Sequence, residues 1–216
     1  MESQNETFYF WQAKFNSYLI HIINLRETAK GLVTSCKFLT NLVQTKKDVL
    51  FVGTKWQARD IVVREAQRCE MHYVSERWLG GTLTNFDTIR KRLERLEELE
   101  NMEKTGEINQ FSKKAISSLN RERKKILVNL EGIRNMTSLP GALVIVDPRH
   151  EHNAVSEAKK LGIPTVCLAD TDCDPDTIDI CVPGNDDAIR SIDLFLTKTA
   201  DAVLAGKELM VTVTKI

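Results

Sequence analysis

The chain has 216 residues, 42% hydrophobic and 28% charged, a balance that suits one or two globular domains with a buried core and excludes disorder and collagen-like fibres. No apolar run approaches the roughly 20 residues needed to cross a bilayer, and Met1 to Ser17 lacks the basic-then-apolar order of a signal segment, so an unexported, non-membrane protein is expected. Thirty basic and thirty acidic residues cancel overall, yet residues 1–135 carry 23 Lys/Arg against 17 Asp/Glu while 136–216 carry 7 against 13. Such segregation allows one face of the molecule to meet phosphate.

In chain order, the apolar runs His21 to Leu25, Val49 to Val52, Ala142 to Val146 and Thr165 to Ala169 read as buried strands. Between them, residues 27–44, 55–69, 151–161 and 186–205 have helical spacing; the last carries Ile189, Ile192, Leu196, Ala200 and Val203 on one stripe. Alternating strand and helix predicts an α/β fold, a parallel sheet with helices on both faces. Gly162-Ile163-Pro164 reads as a helix end leading into a strand. Pro183-Gly184-Asn185-Asp186 reads as a turn with an N-cap for the last helix.

The middle of the chain departs from this alternation. Phe86, Ile89, Leu93 and Leu96 recur at a 3-4-3 spacing among charged residues, and after Thr105-Gly106 a second helical stretch runs through Phe111, Ala115, Leu119, Ile126, Leu130 and Ile133. This predicts an antiparallel helical (coiled-coil) hairpin over 86–135, inserted into an α/β domain formed by 1–85 and 136–216. Eighteen residues of helix rise about 27 Å, far enough for an arm that docks on something large.

Enzyme signals are weak. Gly53-Thr54-Lys55 lacks the remaining frame of a phosphate loop and reads as a plain strand-to-helix turn. The acidic stretch Asp170 to Asp176 fits neither a calcium loop nor a phosphatase nucleophile motif; the enzyme alternative is a Mg²⁺-dependent phosphatase-like hydrolase using Asp170 and Asp172. His150 and His152, two residues apart, have no third ligand in view and read as a polar cluster at a helix start. The five cysteines form no Cys-x-x-Cys pair and read as buried thiols in a reducing compartment. No metal and no cofactor are expected.

The basic stretch is more informative. Lys55, Arg59, Arg64 and Arg68 recur along one helix, followed by the loop Arg77-Trp-Leu-Gly-Gly-Thr-Leu-Thr-Asn85 and then Arg90-Lys91-Arg92. Arg and Lys neutralise phosphate, Thr and Asn bond phosphate or a ribose 2′-hydroxyl, and Trp offers a stacking face. The candidate RNA-binding residues are Lys55, Arg59, Arg77, Trp78, Thr82, Thr84 and Asn85, with Arg90, Lys91 and Arg95 at the base of the arm. Trp78 has the alternative of anchoring the loop in the core. A protein-binding adaptor working through the arm is a further alternative.

At this loop the sequence resembles a known family. Val49 to Lys55 followed by Arg77 to Asn85 is similar to small-subunit ribosomal protein S2 of the bacterial and organellar type. The resemblance continues through Gly132 to Met136, Leu139-Pro140, Asp147 to Pro164, Asp170 to Pro175 and Pro183 to Ser191, covering about residues 19–207.

The resemblance implies a flavodoxin-like α/β domain with an inserted helical hairpin, bound to 16S-type rRNA, with no catalytic residues. It also implies neighbouring small-subunit proteins, recruitment of ribosomal protein S1, and a place on a cytoplasmic or organellar ribosome. One departure stands out: Met1 to Ser17 replaces the family's Gly-x-His-Phe-Gly-His segment and the basic stretch after it. Either this start is truncated or misassigned, or the contacts of that segment are lost.

Overall fold

A computed structural model describes residues 22–213, so expectations for the N-terminal segment lie outside the described residues. Five parallel strands form the sheet: β1 (Val49–Val52), β2 (His72–Val74), β3 (Ala142–Val146), β4 (Thr165–Ala169) and β5 (Ile180–Pro183). Their spatial order is β2-β1-β3-β4-β5. The register runs Leu50 beside His72 and Leu143, Val144 beside Val166, and Cys167 beside Cys181.

Alternation along the strands divides the core into two layers. Val49, Phe51, Val144, Val146, Val166 and Leu168 face one way, toward α1 (Leu25–Gln44), α2 (Trp56–Arg68) and α6 (Ile189–Val213). Leu50, Val52, Leu143, Ile145 and Cys167 face the other way, toward α5 (His152–Leu161) and toward Ile89 and Leu93 of α3 (Phe86–Thr105) and Leu130 of α4 (Lys113–Leu130). Helices thus cover both faces, as expected of an α/β sheet whose central strands are uniformly apolar.

Of the run His21 to Leu25, expected as a strand, His21 lies outside the described residues, residues 22–24 are the lead-in to α1, and Leu25 is its first residue. Asn24 accepts a hydrogen bond from the Arg26 amide at 3.1 Å and caps the helix, and Leu25 is 76% exposed. The two strands with no anticipated signal are the short edge strands β2 and β5. The last helix begins at Ile189; Asn185 accepts from the amides of Asp187 and Ala188, while Asp186 turns inward.

In the middle region, α3 ends at Gly106, whose φ of 77° suits a left-handed terminus, and Ser112 caps α4 by accepting from the Ala115 amide. The two helices lie against each other, joined by the ion pairs Arg95–Glu122 and Arg123–Glu103. Their roots enter the sheet core: a Cβ on Gly132 would meet the Tyr73 carbonyl at 2.2 Å, so the chain leaving α4 touches β2 backbone to backbone.

Candidate nucleic-acid interface

Two carboxylates of α5 and its leading turn hold the loops at the carboxyl ends of the strands. Glu151, 2% exposed, accepts from both the amide (2.8 Å) and the hydroxyl (2.6 Å) of Thr54, which fixes the turn after β1. Glu157, 7% exposed, does the same for the loop 77–85. Its Oε1 accepts from the Gly81 amide at 2.7 Å and the Trp78 indole at 3.1 Å; its Oε2 accepts from the amides of Leu83 and Thr84 and from the Thr84 hydroxyl at 3.0–3.1 Å.

Burial works to raise the Glu157 pKa, but these donors outweigh it and hold the carboxyl below its usual range. Gly81 completes the turn with a φ of 89°, a conformation that side chains resist. The polar groups of this loop therefore converge inward on a carboxylate of the same chain.

Order reverses between β1 and β3, where α/β proteins commonly bind ligands in the crevice beyond the strand ends. Here the protein fills that place itself. Lys55 Nζ lies 3.2 Å from Asp147, 2.9 Å from Asp186 and 2.6 Å from Asp187. Burial opposes the ammonium, yet the three hydrogen bonds raise its pKa above the usual value. Burial pushes Asp186 the other way, up to about 6, with Asp147 and Asp170 adding to the rise and Lys55 opposing it. Asp147, Asp186 and Cys173 have the spacing of a metal site, with ligand atoms within 4.8 Å of one another, but the Lys55 ammonium already sits against both carboxylates.

The acidic turn after β4 offers no free carboxylate pair. Arg149 pairs with Asp172 at 2.5 Å and holds its pKa low, and Asp170 accepts from the Thr171 amide. Asp174 caps the short 3₁₀ turn Pro175–Thr177. Burial raises the thiols of Cys69 and Cys181 to about 11 and that of Cys173 to about 12, so these groups stay protonated. Cys69 and Cys167 are buried; Cys36, Cys173 and Cys181 are half-buried, and all five are free.

The ten residues singled out from sequence separate into two groups. Lys55 is held by its three carboxylates. Arg59 donates to the Thr54 carbonyl and pairs with Glu76, both at 2.9 Å. Trp78 and Thr82 are buried, and Thr84 is bound to Glu157. These five are spent on contacts within the chain.

Arg77, Arg90 and Lys91 are exposed and form no ion pair with a described residue. Asn85, also exposed, accepts from the Thr88 hydroxyl at 2.7 Å just ahead of α3. Arg95, half-buried, pairs with Glu98 at 2.9 Å and Glu122 at 3.5 Å. The structure brings the loop and the start of α3 together as one basic corner, apart from the carboxylate knot around Lys55.

Sequence reasoning had no function for Glu157 and Glu151. Their signal was a carboxylate placed beside the buried alanines and valine of α5, where an unpaired charge is costly. Among the described residues, no helix is long and apolar enough to cross a membrane.

The family model described as Ribosomal protein S2 matches residues 5–206. The chain is 53% identical over 203 residues to the small ribosomal subunit protein uS2 of Rhodopirellula baltica, covering 91% of this chain and 78% of that protein. It is 51% identical to the protein of the same name from Syntrophobacter fumaroxidans, covering 91% and 74%.

Proposed function

The chain belongs to the ribosomal protein S2 family, and from that premise we propose that its basic corner, the loop 77–85 with the start of α3, is the surface that grips rRNA. The protein is a structural constituent of the small ribosomal subunit, a component of a ribonucleoprotein, and not an enzyme. It works by phosphate neutralisation and shape, not by chemistry.

The observation that carries the proposal is the contrast between paired and unpaired cations. Lys55, Arg59, Arg64 and Arg68 are consumed by carboxylates of the same chain. Arg77, Arg90 and Lys91 stand exposed with no ion-pair partner among the described residues. In this reading those three, with Asn85 and Arg95, meet RNA. Arg59, Trp78, Thr82 and Thr84 hold the loop in the shape that RNA recognises, and Lys55 ties together the strand ends beside it.

The same reading treats 1–85 and 136–216 as an α/β domain and 86–135 as an inserted hairpin arm, supported by the helical pair α3 and α4. Recruitment of ribosomal protein S1 belongs to the proposal on the strength of family membership, and small subunits carrying or lacking the chain would differ in the S1 they retain. A cytoplasmic ribosome is proposed as the location, with an organellar ribosome as the alternative that cell fractionation separates.

A titration with small-subunit rRNA and with unrelated structured RNA, at several salt concentrations, tests the central point. Preference for small-subunit rRNA at moderate salt supports it, and equal affinity for both contradicts it.

A further inference from the structure

Between α3 and α4 runs an open cleft of about 400 Å³. On the α3 side, Thr88, Lys91, Arg92 and Arg95 line it at the i, i+3, i+4, i+7 spacing of a single helical stripe. Of the acidic residues of α3, Glu97 and Glu100 face Arg134, while Glu98 pairs with Arg95. On the α4 side the wall carries Lys125, Asn129 and one acid, Glu122. Arg95 pairs with Glu122 across the cleft and with Glu98 on its own helix, so these three groups add no positive charge, and the free cations are the others. Lys91, Arg92 and Lys125 are exposed and have no ion-pair partner among the described residues.

The wall also carries groups suited to ribose. Asn129 spends its amide N–H on the Lys125 carbonyl at 2.7 Å, which leaves its side-chain oxygen to accept from a 2′-hydroxyl. The Thr88 hydroxyl donates to Asn85 and keeps its lone pairs free for the same purpose. Leu79 and Ile126 give apolar contact. Leu79 belongs to the loop that carries Arg77, so the cleft continues the basic corner without a break.

We infer that the cleft between α3 and α4 seats the phosphate backbone of one rRNA strand, gripped from opposite walls by Arg92 and Lys125. An acidic peptide would match the cations but has no 2′-hydroxyl for Asn129 and Thr88. The inference rests on the rRNA-binding reading and deepens it, adding Arg92, Lys125 and Asn129 to the interface.

Two measurements test it. The first is amine-reactive labelling of the free protein and of its complex with small-subunit rRNA. Lys91 and Lys125 lose labelling several-fold in the complex, while Lys113 and Lys114, exposed at the start of α4, do not. The second is the affinity of R92Q/K125Q, whose side chains are exposed and whose fold is checked by circular dichroism. It binds small-subunit rRNA about 10-fold or more weakly at moderate salt, with a salt slope shallower by about two counterions, while K113Q/K114Q is unchanged.

Unprotected lysines and unchanged affinity, with R77A/R90A still weakened, overturn the cleft and leave the basic corner standing. Protection by poly-glutamate but not by rRNA makes the cleft a protein seat and overturns the inference. A wild-type chain that binds unrelated RNA equally well removes the reading and the inference together.

Discussion

Trp78 and Glu157 stand 79 residues apart in sequence and meet inside the protein, the indole N–H donating to the carboxylate at 3.1 Å. That contact makes the tryptophan an anchor and turns the two-glycine loop into a cradle for a carboxylate of its own chain. The outward-facing residues at the ends of the loop, Arg77 and Asn85, are left as its working surface.

Replacing Glu157 with alanine strands five donors, and a loss of about 2–4 kcal/mol of stability is expected in urea unfolding. Because the folded pKa lies below the ordinary carboxylate value, this contribution is fully present at neutral pH and fades as acid titrates the group. Wild type and E157A should therefore converge in stability toward low pH. A gap that stays constant between pH 7 and pH 3 would contradict the role assigned to the carboxylate.

The knot around Lys55 has the opposite pH signature. Asp186, whose folded pKa stays raised to about 6 even with the ammonium beside it, costs stability at neutral pH, and costs more once Lys55 is removed. K55M is expected to cost about 2 kcal/mol at pH 7.5, and less at pH 5, where a proton on Asp186 relieves the crowding of three carboxylates. Chemical unfolding at the two pH values reads this directly. An equal loss at both would show that Asp186 does not titrate in that window.

D170N and D172N should leave rRNA affinity and thermal stability nearly unchanged. The Arg149–Asp172 pair is exposed, so solvent screens it and its loss changes stability little. Wild type incubated with Mg²⁺ and a generic phosphate ester should show no turnover. Turnover lost in D170N would revive an enzymatic reading.

R77A/R90A removes two exposed cations from the basic corner without touching the core. Its affinity for small-subunit rRNA should fall by about 10-fold or more at moderate salt, and the slope of log affinity against log salt should flatten by about two. An unchanged slope would place both arginines away from phosphate.

Much of this architecture was legible because the central strands are buried on both faces. Val49–Val52, Ala142–Val146 and Thr165–Ala169 are continuous apolar runs with no exposed position. The edge strands gave no such signal. His72–Val74 has only three residues, two of them half-buried polar-tipped aromatics, and Ile180–Pro183 ends in a proline tolerated at a sheet edge.

The misread run at His21 to Leu25 contained its own correction. Asn24 with Glu27 three residues later is a helix-start pattern, and it outweighs a short apolar run of ambiguous period. At the candidate site, residue types pointed to RNA. Which cations were free depended on contacts such as Lys55 with Asp186, 131 residues apart, and no local pattern encodes those.

The most direct test of the account is sedimentation of tagged chain with purified small ribosomal subunits through a high-salt wash. The account predicts that the wild-type chain stays with the particle at close to one copy per subunit and that R77A/R90A is released at lower salt. A wild-type chain that washes off as readily as an unrelated protein of similar charge would contradict it.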